Sequence, residues 1–592
     1  MIGPILGREW LVSPRRMRFY AQRVVFVAAL FSLVCTMWLL LAGMQQIRNV
    51  GDLSRFGSLA FQLVAPMELV VVMFLAAVAT ASSVSQEKDR RTLILLLLTR
   101  LTSTQIVMGK HLAAMLGIAN IVVASLPLLL LISLMGGVSI QQVFSVLAIV
   151  LVTALVCASL GTVVGFWREK TFQTLAVTLL AITAWCVLGE VIANGVWPML
   201  APSWAEAISP FRAVLNVCQP LPSNHWQNIS GGVTAVYSVF GFGLSAVLCS
   251  IAISQLRVWN PSRELRLQAP ESDDAADATE ALGTRSWKVR APRPMWKNPV
   301  LWREMRTWAY GRKLLFIRLS YVVLFLLAVG SLYWSVASGA ALQRSRLTTE
   351  LIPVATKILA PFFVVSLVML NALAVNSITN ERDGQALDLL LVTQISPSSF
   401  LLGKLLGVLY VAKEMVMLPL VLCIYLWWQG GLSTENLVFT VAGLLVLDIF
   451  VAILGIHCGM NYGLSRTAIG TSLGTVFFLL LGVVVCMMIM ISFRGSFSRQ
   501  LPPFLVIILG GGTGLFVALG NRNPSPAIAL AAFSLPFLTF FSITSFILRN
   551  QELTVFSVIV TAYGFASLAM LIPALSEFDF AIDQSRAAED ES

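Results

Sequence analysis

Two charged segments, each followed by leucines and then by a glycine–lysine pair, hold the residues of this sequence that are best suited to chemistry. The first covers 87–93 and leads to Gly109-Lys110, and the second covers 381–387 and leads to Gly403-Lys404. Acidic residues at the start of each segment suit the N-terminus of a short helix, and a leucine stripe can dock into a groove on another protein. The alternative is a solvated connector whose leucines lie on the bilayer. The candidate docking residues are Glu87, Lys88, Asp89, Arg90, Arg91 and Leu93 in the first segment, and Glu381, Arg382, Asp383, Gln385 and Leu387 in the second.

The glycine–lysine pairs do not form a phosphate-binding loop. Gly109-Lys110-His111 and Gly403-Lys404-Leu405 lack both the upstream glycine and the hydroxyl of the pattern G-x-x-x-x-G-K-[ST]. The sequence therefore predicts no ATP hydrolysis by this chain alone and no cofactor within it. The eight cysteines show no C-x-x-C spacing and the three histidines are scattered, so neither a catalytic group nor a metal site is predicted.

A polar and aromatic segment also occurs twice, ahead of the first charged segment and again ahead of the second. In the second copy, Asn298-Pro299 offers a helix N-cap followed by proline at the first helical position. We expect an amphipathic helix in the membrane interface, with Arg303 and Glu304 largely away from its apolar face. That apolar face comprises Val300, Leu301, Met305 and Trp308. The candidate interface-helix residues are Arg8, Glu9 and Trp10 in the first copy, and Arg303, Glu304 and Trp308 in the second.

The elements that must position these motifs are membrane helices. The 592 residues are 57% hydrophobic and 12% charged, whereas a soluble domain has roughly 25% charged residues. Apolar runs of about 20 residues recur along the chain, which is the length needed to cross a bilayer. We predict six spans in the first half. The second half has five matching runs, then three further ones, of which the first two form either full spans or a re-entrant hairpin. The predicted fold is all-α and polytopic, with 12–14 spans.

The two halves match each other in sequence. A shift of 295 positions carries Arg8 onto Arg303, and the loss of one residue then carries Glu87 onto Glu381. Charged residues in register are a stronger sign of duplication than matching apolar runs. We therefore predict two parallel pseudo-repeats, with a transport path between them. The predicted domains are a first half over 1–256, a flexible linker over 257–297, a second half over 298–576 and an acidic tail over 577–592.

The distribution of Lys and Arg predicts the orientation. Basic residues concentrate in the N-terminal segment, the charged segments and the linker, which places both termini and the linker in the cytoplasm. The net charge of +11 is explained by this topology and by attraction to anionic lipids, so no nucleic-acid partner is predicted.

The candidate intramembrane charges are Lys413, Glu414 and Asp448, which fall inside predicted spans of the second half. Charges within a membrane are candidates for function. Because Lys413 and Asp448 lie at comparable depth in neighbouring spans, we predict that they form an ion pair. The pair either fixes packing or takes part in substrate contact or conformational gating.

The duplicated pattern E-x-x-x-x-x-L-x-L-L-L-x-T, followed by Gly-Lys, resembles the permease subunits of ABC-2 type transporters, as does the opening Asn298-Pro299-x-Leu-x-Arg-Glu. The resemblance covers nearly the whole chain and is weakest from about residue 493. It departs from the family pattern at Arg90-Arg91 and at Asp388. The resemblance implies an exporter permease with both permease halves fused in one chain, in a bacterial inner membrane. It also implies a separate ATPase subunit, in two copies, that binds ATP and magnesium, with room for accessory or further permease subunits.

Two other functions fit the sequence less well. A secondary transporter driven by an ion gradient would want paired carboxylates or broken helices at the midplane of both halves. A membrane anchor or assembly factor that transports nothing would not need two copies of the docking segment.

Overall fold

The chain is seen here in a computed structural model, and in the part it describes every regular element is a helix. The described residues are 4–12, 17–44, 49–89, 92–168, 171–193, 201, 203–219, 226, 231–260, 298–306, 314–339, 354–383, 395–492, 497–520, 524–549 and 551–590. The predicted linker lies mostly outside these ranges.

The helices of the first half begin with a short helix ahead of the first long one, as the sequence predicts. They are α1 Pro4–Val12, α2 Met17–Met44, α3 Val50–Asp89, α4 Thr92–Leu98, α5 Ser103–Leu134, α6 Ile140–Trp167, α7 Thr171–Ala193, α8 Trp204–Ile208, α9 Pro210–Cys218 and α10 Gly232–Trp259.

The helices of the second half follow the same order up to the fifth long one. They are α11 Pro299–Arg306, α12 Leu314–Ala337, α13 Val354–Asp383, α14 Pro397–Val411, α15 Lys413–Trp428, α16 Thr434–Asn461, α17 Ser465–Ser492, α18 Phe497–Leu519, α19 Pro526–Arg549 and α20 Glu552–Asp590. The residues 577–590, predicted as a separate tail, continue helix α20.

The described part contains 13 helices that are long and apolar enough to cross a membrane, or 14 spans if α14 and α15 count as one span bent by 56°. The chain is thus an all-α, multi-pass membrane protein. Helices α18 and α19 are each long enough to span, so the two runs after residue 493 form two long helices rather than short re-entrant ones.

Close helix packing at glycine occurs at corresponding places in the two halves. In the first half, Gly161 and Gly165 of α6 lie directly against α3, at Thr80-Ala81 and at Val84. In the second half, Gly455 and Gly459 of α16 lie against α13, at Ala374-Val375 and at Ile378. Every one of these positions differs from its counterpart by 294 residues. Two glycines four apart let helix backbones approach closely in a membrane.

Among the described residues, three sets of helix contacts join the two halves most extensively. Helix α7 packs on α12 and α13, α3 packs on α17, and α2 packs on α18. The last contact includes a hydrogen bond of 3.2 Å from Thr36 Oγ1 to the carbonyl oxygen of Pro503. Phe504 and Phe540, from α18 and α19, belong to the same apolar core as the first-half helices. The α18–α19 pair therefore fastens one half to the other.

Candidate functional site: the loop-side ion clusters

A buried lysine joins three helices of the second half at the membrane side on which α13 ends, which we call the loop side. Lys404 Nζ donates to Glu304 Oε1 and to Glu381 Oε1, each at 2.6 Å, and to the carbonyl oxygen of Ser377 at 3.1 Å. Its side chain is only 1% exposed. Arg303 also pairs with Glu381. All three ammonium protons thus have acceptors, and the two carboxylates face two cations. We call Lys404, Glu304, Glu381 and Arg303 the Lys404 cluster.

The sequence around this cluster explains why α11 sits so close to α14. The side chain of Asn298 caps α11 by accepting from the amide of Leu301 at 3.0 Å, and donates to the carbonyl oxygen of Ser399 at 2.7 Å. Gly403 and Gly407 face α11, and a methyl group at Gly407 would lie 2.8 Å from Glu304 Cβ. The predicted asparagine cap is confirmed. Helix α14 is capped by Ser396, whose side chain accepts from the amide of Ser399.

The first half has a related but simpler arrangement. Lys110, the counterpart of Lys404, forms an ion pair with Glu87, the counterpart of Glu381. Helix α1 packs on α5 as α11 packs on α14. The Lys110 and Glu87 side chains are 17% and 22% exposed, so this pair is more accessible to water than the Lys404 cluster.

The basic residue that follows each of these glutamates donates hydrogen bonds to carbonyl oxygens at the C-terminal end of another helix. Lys88 Nζ donates to the carbonyl oxygens of Phe166 and Arg168 at the end of α6. Arg382 donates to the carbonyl oxygens of Gly459 and Tyr462 at the end of α16. A cation at a helix C-terminus satisfies carbonyls that lack a partner and opposes the negative end of the helix dipole.

These clamped helix ends contact further helices, one of them in the opposite half. At the end of α6, the Arg168 guanidinium lies over the rings of Trp167 and Phe316, 3.5 Å and 4.9 Å from their centroids. Phe316 belongs to α12 of the second half. At the end of α16, the hydroxyl of Tyr462 donates to the carbonyl oxygen of Ala518 at 2.8 Å, at the end of α18. The basic residues of the charged segments are therefore linked to the helices that join the halves.

Several of the candidate docking and interface-helix residues are wholly or partly buried. Glu87 and Glu381 lie in the last turn of α3 and α13, which extend to Asp89 and Asp383, and not at the start of a following helix. Glu304 is 3% exposed and lies on the packed side of α11. The prediction placed Glu304 away from the apolar face of this helix, but Glu304 is buried one turn from the buried Val300, because Lys404 supplies a partner there. Leu93 is 3% exposed and packs with Ile106 and Phe166.

Other apolar residues of the same region remain exposed. Leu95 and Leu98 of α4 are each 64% exposed, and Trp10 and Leu11 of α1 are 63% and 69% exposed. Arg8 is exposed as well. Some predicted residues fall outside the described positions, or have side chains that do, and nothing is concluded about them: Asp89, Arg90, Arg91, Trp308, Gln385 and Leu387.

The intramembrane charges pair differently from the prediction. Lys413 is exposed and lies 5.2 Å from the centroid of the Tyr410 ring, while Glu414 pairs with Arg318 at 3.5 Å. The predicted Lys413–Asp448 ion pair is wrong, because the bend at Ala412 redirects the helix just before Lys413. Within the described residues, Asp448 has no hydrogen bond or ion pair and is 5% exposed.

The pair that does form has a counterpart in the first half. Arg23 donates to the side-chain oxygen of Asn120 at 3.3 Å, and these residues correspond to Arg318 and Glu414. The sequence match placed these residues in register without indicating that they touch.

In the described part, no group of three or more His, Cys, Asp or Glu side chains could hold a metal ion. Comparison with protein-family models finds no match for this chain, and comparison with curated proteins also finds none. The functional assignment therefore depends on the motifs and on the contacts described above.

Proposed function

We propose that the chain is the permease of an ATP-driven exporter of the ABC-2 type, with both permease halves fused and with ATP and magnesium bound on a separate ATPase subunit. One observation carries the proposal most strongly. In each half, the glutamate of the charged segment pairs with the lysine of the glycine–lysine helix, and the helix ahead of the first span packs on that same helix. Such a unit couples any partner bound at the loop to the membrane helices.

The duplication supports the same reading. The glycine contacts, the ion pairs and the helix-end clamps recur at corresponding positions. We infer two parallel pseudo-repeats, and α18–α19 is then an added pair between the fifth span and the last. Each repeat offers one docking surface, which fits two ATPase copies. When those copies bind ATP and close, they move both loops. The two helical bundles then rotate relative to each other about a central path, which opens alternately to the two sides of the membrane.

Buried and exposed residues of the loop have different roles in this proposal. Glu87 and Glu381 hold the loop to the membrane helices from inside, so they transmit force rather than contact the partner. The exposed leucines of α4, Leu95 and Leu98, supply the apolar contact with the ATPase. In this arrangement the loop side faces the cytoplasm of a bacterial inner membrane, together with both termini and the linker.

Changing the exposed leucines is expected to remove one ATPase copy without harming the permease. In a tagged chain purified in mild detergent, Leu95→Glu/Leu98→Glu is expected to lower the ratio of co-purifying ATPase subunit to permease by about half. Charges at the centre of an apolar contact cost several kcal/mol, while the docking surface of the second half is unchanged. The double variant keeps the wild-type elution volume and melting temperature, because both side chains are largely exposed.

Leu134→Glu provides the matched control. Leu134 is 84% exposed at the far end of α5, so the same substitution there leaves ATPase recovery unchanged. If the wild type retains no ATPase in any detergent or nucleotide condition, the proposal fails, and transport driven by an ion gradient becomes the function to test.

A further inference from the structure

A carboxyl group lies deep in the apolar interior of the first half. Glu68 is in the middle of α3, about 16 Å along the helix from Gly57, which packs against the far end of α5, and about 28 Å from Glu87 at the loop side. It is 0% exposed. Ala65 and Val72, on the same side of α3, belong to the apolar core of this half. The Glu68 side chain is therefore separated from both membrane surfaces.

The hydrogen bonds of Ser125, which is also fully buried, indicate where the protons of this pair lie. Ser125 Oγ lies 2.5 Å from Glu68 Oε1 and 2.7 Å from the carbonyl oxygen of Val122, one turn earlier in α5. A hydroxyl has one proton to donate, whereas a carbonyl oxygen and an ionised carboxylate can only accept. With Glu68 ionised, one of these two short contacts between oxygens contains no proton. With Glu68 protonated, the carboxyl group donates to Ser125 and Ser125 donates to Val122, so both contacts are hydrogen bonds of normal length.

The second oxygen of Glu68 fits the same protonation state. Among the described residues, nothing hydrogen-bonds Glu68 Oε2, although this atom is buried. An ionised carboxylate in an apolar interior needs a cation or several donors, and without them it takes up a proton instead. One partner on one oxygen is therefore the environment of a neutral carboxyl group.

The basic side chains of α3 and of the helices packed against it are exposed or have partners of their own. Helix α3 contacts α2, α4, α5, α6, α7, α9 and α17. On these helices, Arg466 is exposed. On α3 itself, Arg55 is exposed and Lys88 binds the end of α6. The others have a hydrogen-bond, ion-pair or aromatic-ring partner: Arg23, Lys110, Arg168 and Arg212. In the part of the chain that the structure describes, no cation pairs with Glu68.

The other titratable groups of these helices do not supply a positive charge to Glu68 either. His111 lies about 21 Å along α5 from Ser125, with Nδ1 3.3 Å from Thr162 Oγ1. The carboxylates Asp52 and Glu190 lie near helix ends. The thiols are neutral at neutral pH, and they are Cys35, Cys157, Cys186, Cys218 and Cys486.

We propose that Glu68 and Ser125 form a proton-binding site inside the first half, occupied when α3 packs on α5. The ligand is a proton rather than a metal ion, because Ca²⁺ and Mg²⁺ take about six or more oxygen ligands and Glu68 has one oxygen partner among the described residues. The sequence match carries Glu68 onto Phe363 and Ser125 onto Pro419, so the second half lacks this site. The proposal does not depend on the assignment of an ATPase partner.

The proton links the packing of these two helices to pH. A glutamate in water has a pKa of about 4.3 and is ionised at neutral pH. Any movement of α5 away from α3 that admits water to Glu68 therefore releases one proton. Lower pH consequently favours the packed arrangement of the two helices.

The first test is infrared spectroscopy of the purified full-length chain at neutral pH. We expect the wild type to show the carbonyl band of a protonated carboxyl group that is missing from Glu68→Gln, whose amide can make the same hydrogen bond to Ser125. A difference spectrum that shows the loss of a carboxylate band instead overturns the proposal. Ser125→Ala gives a second reading that does not require Glu68→Gln to fold. It is expected to shift the carboxyl band to higher frequency, because the hydrogen bond is lost, and an unshifted band contradicts the proposed pair.

The second test compares the stability of the wild type and Glu68→Gln at several pH values, by denaturant titration in one detergent. The folded wild type holds a proton that the unfolded chain releases, so its stability is greatest at acidic pH and declines as the pH rises. Between about pH 5 and 7, its unfolding equilibrium constant is expected to rise relative to that of Glu68→Gln by up to about tenfold per pH unit. The control is Glu190→Gln, because Glu190 is half-exposed and paired with Arg212, and the wild type is expected to show no such rise relative to it. A ratio for Glu68→Gln that stays constant or falls with pH contradicts the proposal.

Discussion

Lys404→Met is expected to destabilise the folded protein by about 3–5 kcal/mol, the cost of removing one partner from a buried ion pair. Methionine keeps most of the volume of the lysine stem but leaves Glu304 and Glu381, which are 2% and 11% exposed, without their shared cation. Arg303 still reaches Glu381, yet it is 35% exposed and cannot replace the three buried hydrogen bonds of the ammonium group. The measurement is the free energy of unfolding in one detergent, by denaturant titration.

Two comparisons make this experiment specific to the Lys404 cluster. Lys110→Met in the first half is expected to cost clearly less, because its ion pair with Glu87 is partly open to water. The triple variant Lys404→Met/Glu304→Gln/Glu381→Gln is expected to recover most of the lost stability, since neutral groups carry no unpaired buried charge. Equal losses for Lys404→Met and Lys110→Met, or a triple variant less stable than the single one, would contradict the role assigned to the cluster.

Gly455→Ala is expected to destabilise the packing of α13 on α16 by about 1–3 kcal/mol, the usual cost of forcing extra atoms into a packed interface. The added methyl group would lie 2.6 Å from Ala374 Cβ and 2.8 Å from the carbonyl oxygen of Asn371. Because one of these atoms is backbone, a change of side-chain rotamer cannot relieve the contact. The loss of stability is measured as a lower melting temperature of the purified protein in detergent.

Gly443→Ala is the matched control on the same helix. No atom lies within 4 Å of a methyl group placed there, so the intrinsic helix preference of alanine over glycine, about 1 kcal/mol, is the main effect and raises stability. The two substitutions share that preference, so their difference isolates the close contact. A Gly455→Ala protein as stable as Gly443→Ala would show that the helices are farther apart than the structure places them.

The sequence was sufficient for the class of protein and for most helix positions. A low charge content and apolar runs of membrane length leave few folds available, because backbone polar groups in lipid must be satisfied within helices. Local signals were equally reliable at helix starts. Asn298 caps its helix as predicted, since capping depends on residues only three positions apart.

The functions of individual charged residues were harder to predict, because they depend on partners distant in the sequence. Glu304 was expected away from the apolar face of its helix, yet it is buried because Lys404, 100 residues later, hydrogen-bonds it in the interior. Lys413 was expected to meet Asp448, but the bend at Ala412 changes which side chains face inward. The close packing at Gly455 and Gly459 was not predicted, although a glycine pair with the same four-residue spacing occurs in the matching span of the first half, at Gly161 and Gly165.

The sequence by itself thus determined that the chain is a multi-pass helical membrane protein with duplicated charged motifs. It did so because hydropathy and residue spacing are local properties. Only the tertiary structure decided that Glu87 and Glu381 pair with lysines of the next span, and that Leu95 and Leu98 are exposed. It also decided that, among the described residues, no cation pairs with Asp448. Those outcomes depend on which helix faces come together. In a membrane, close packing and buried polar pairs determine this more than hydrophobicity does, because lipid is as apolar as the helix surfaces themselves.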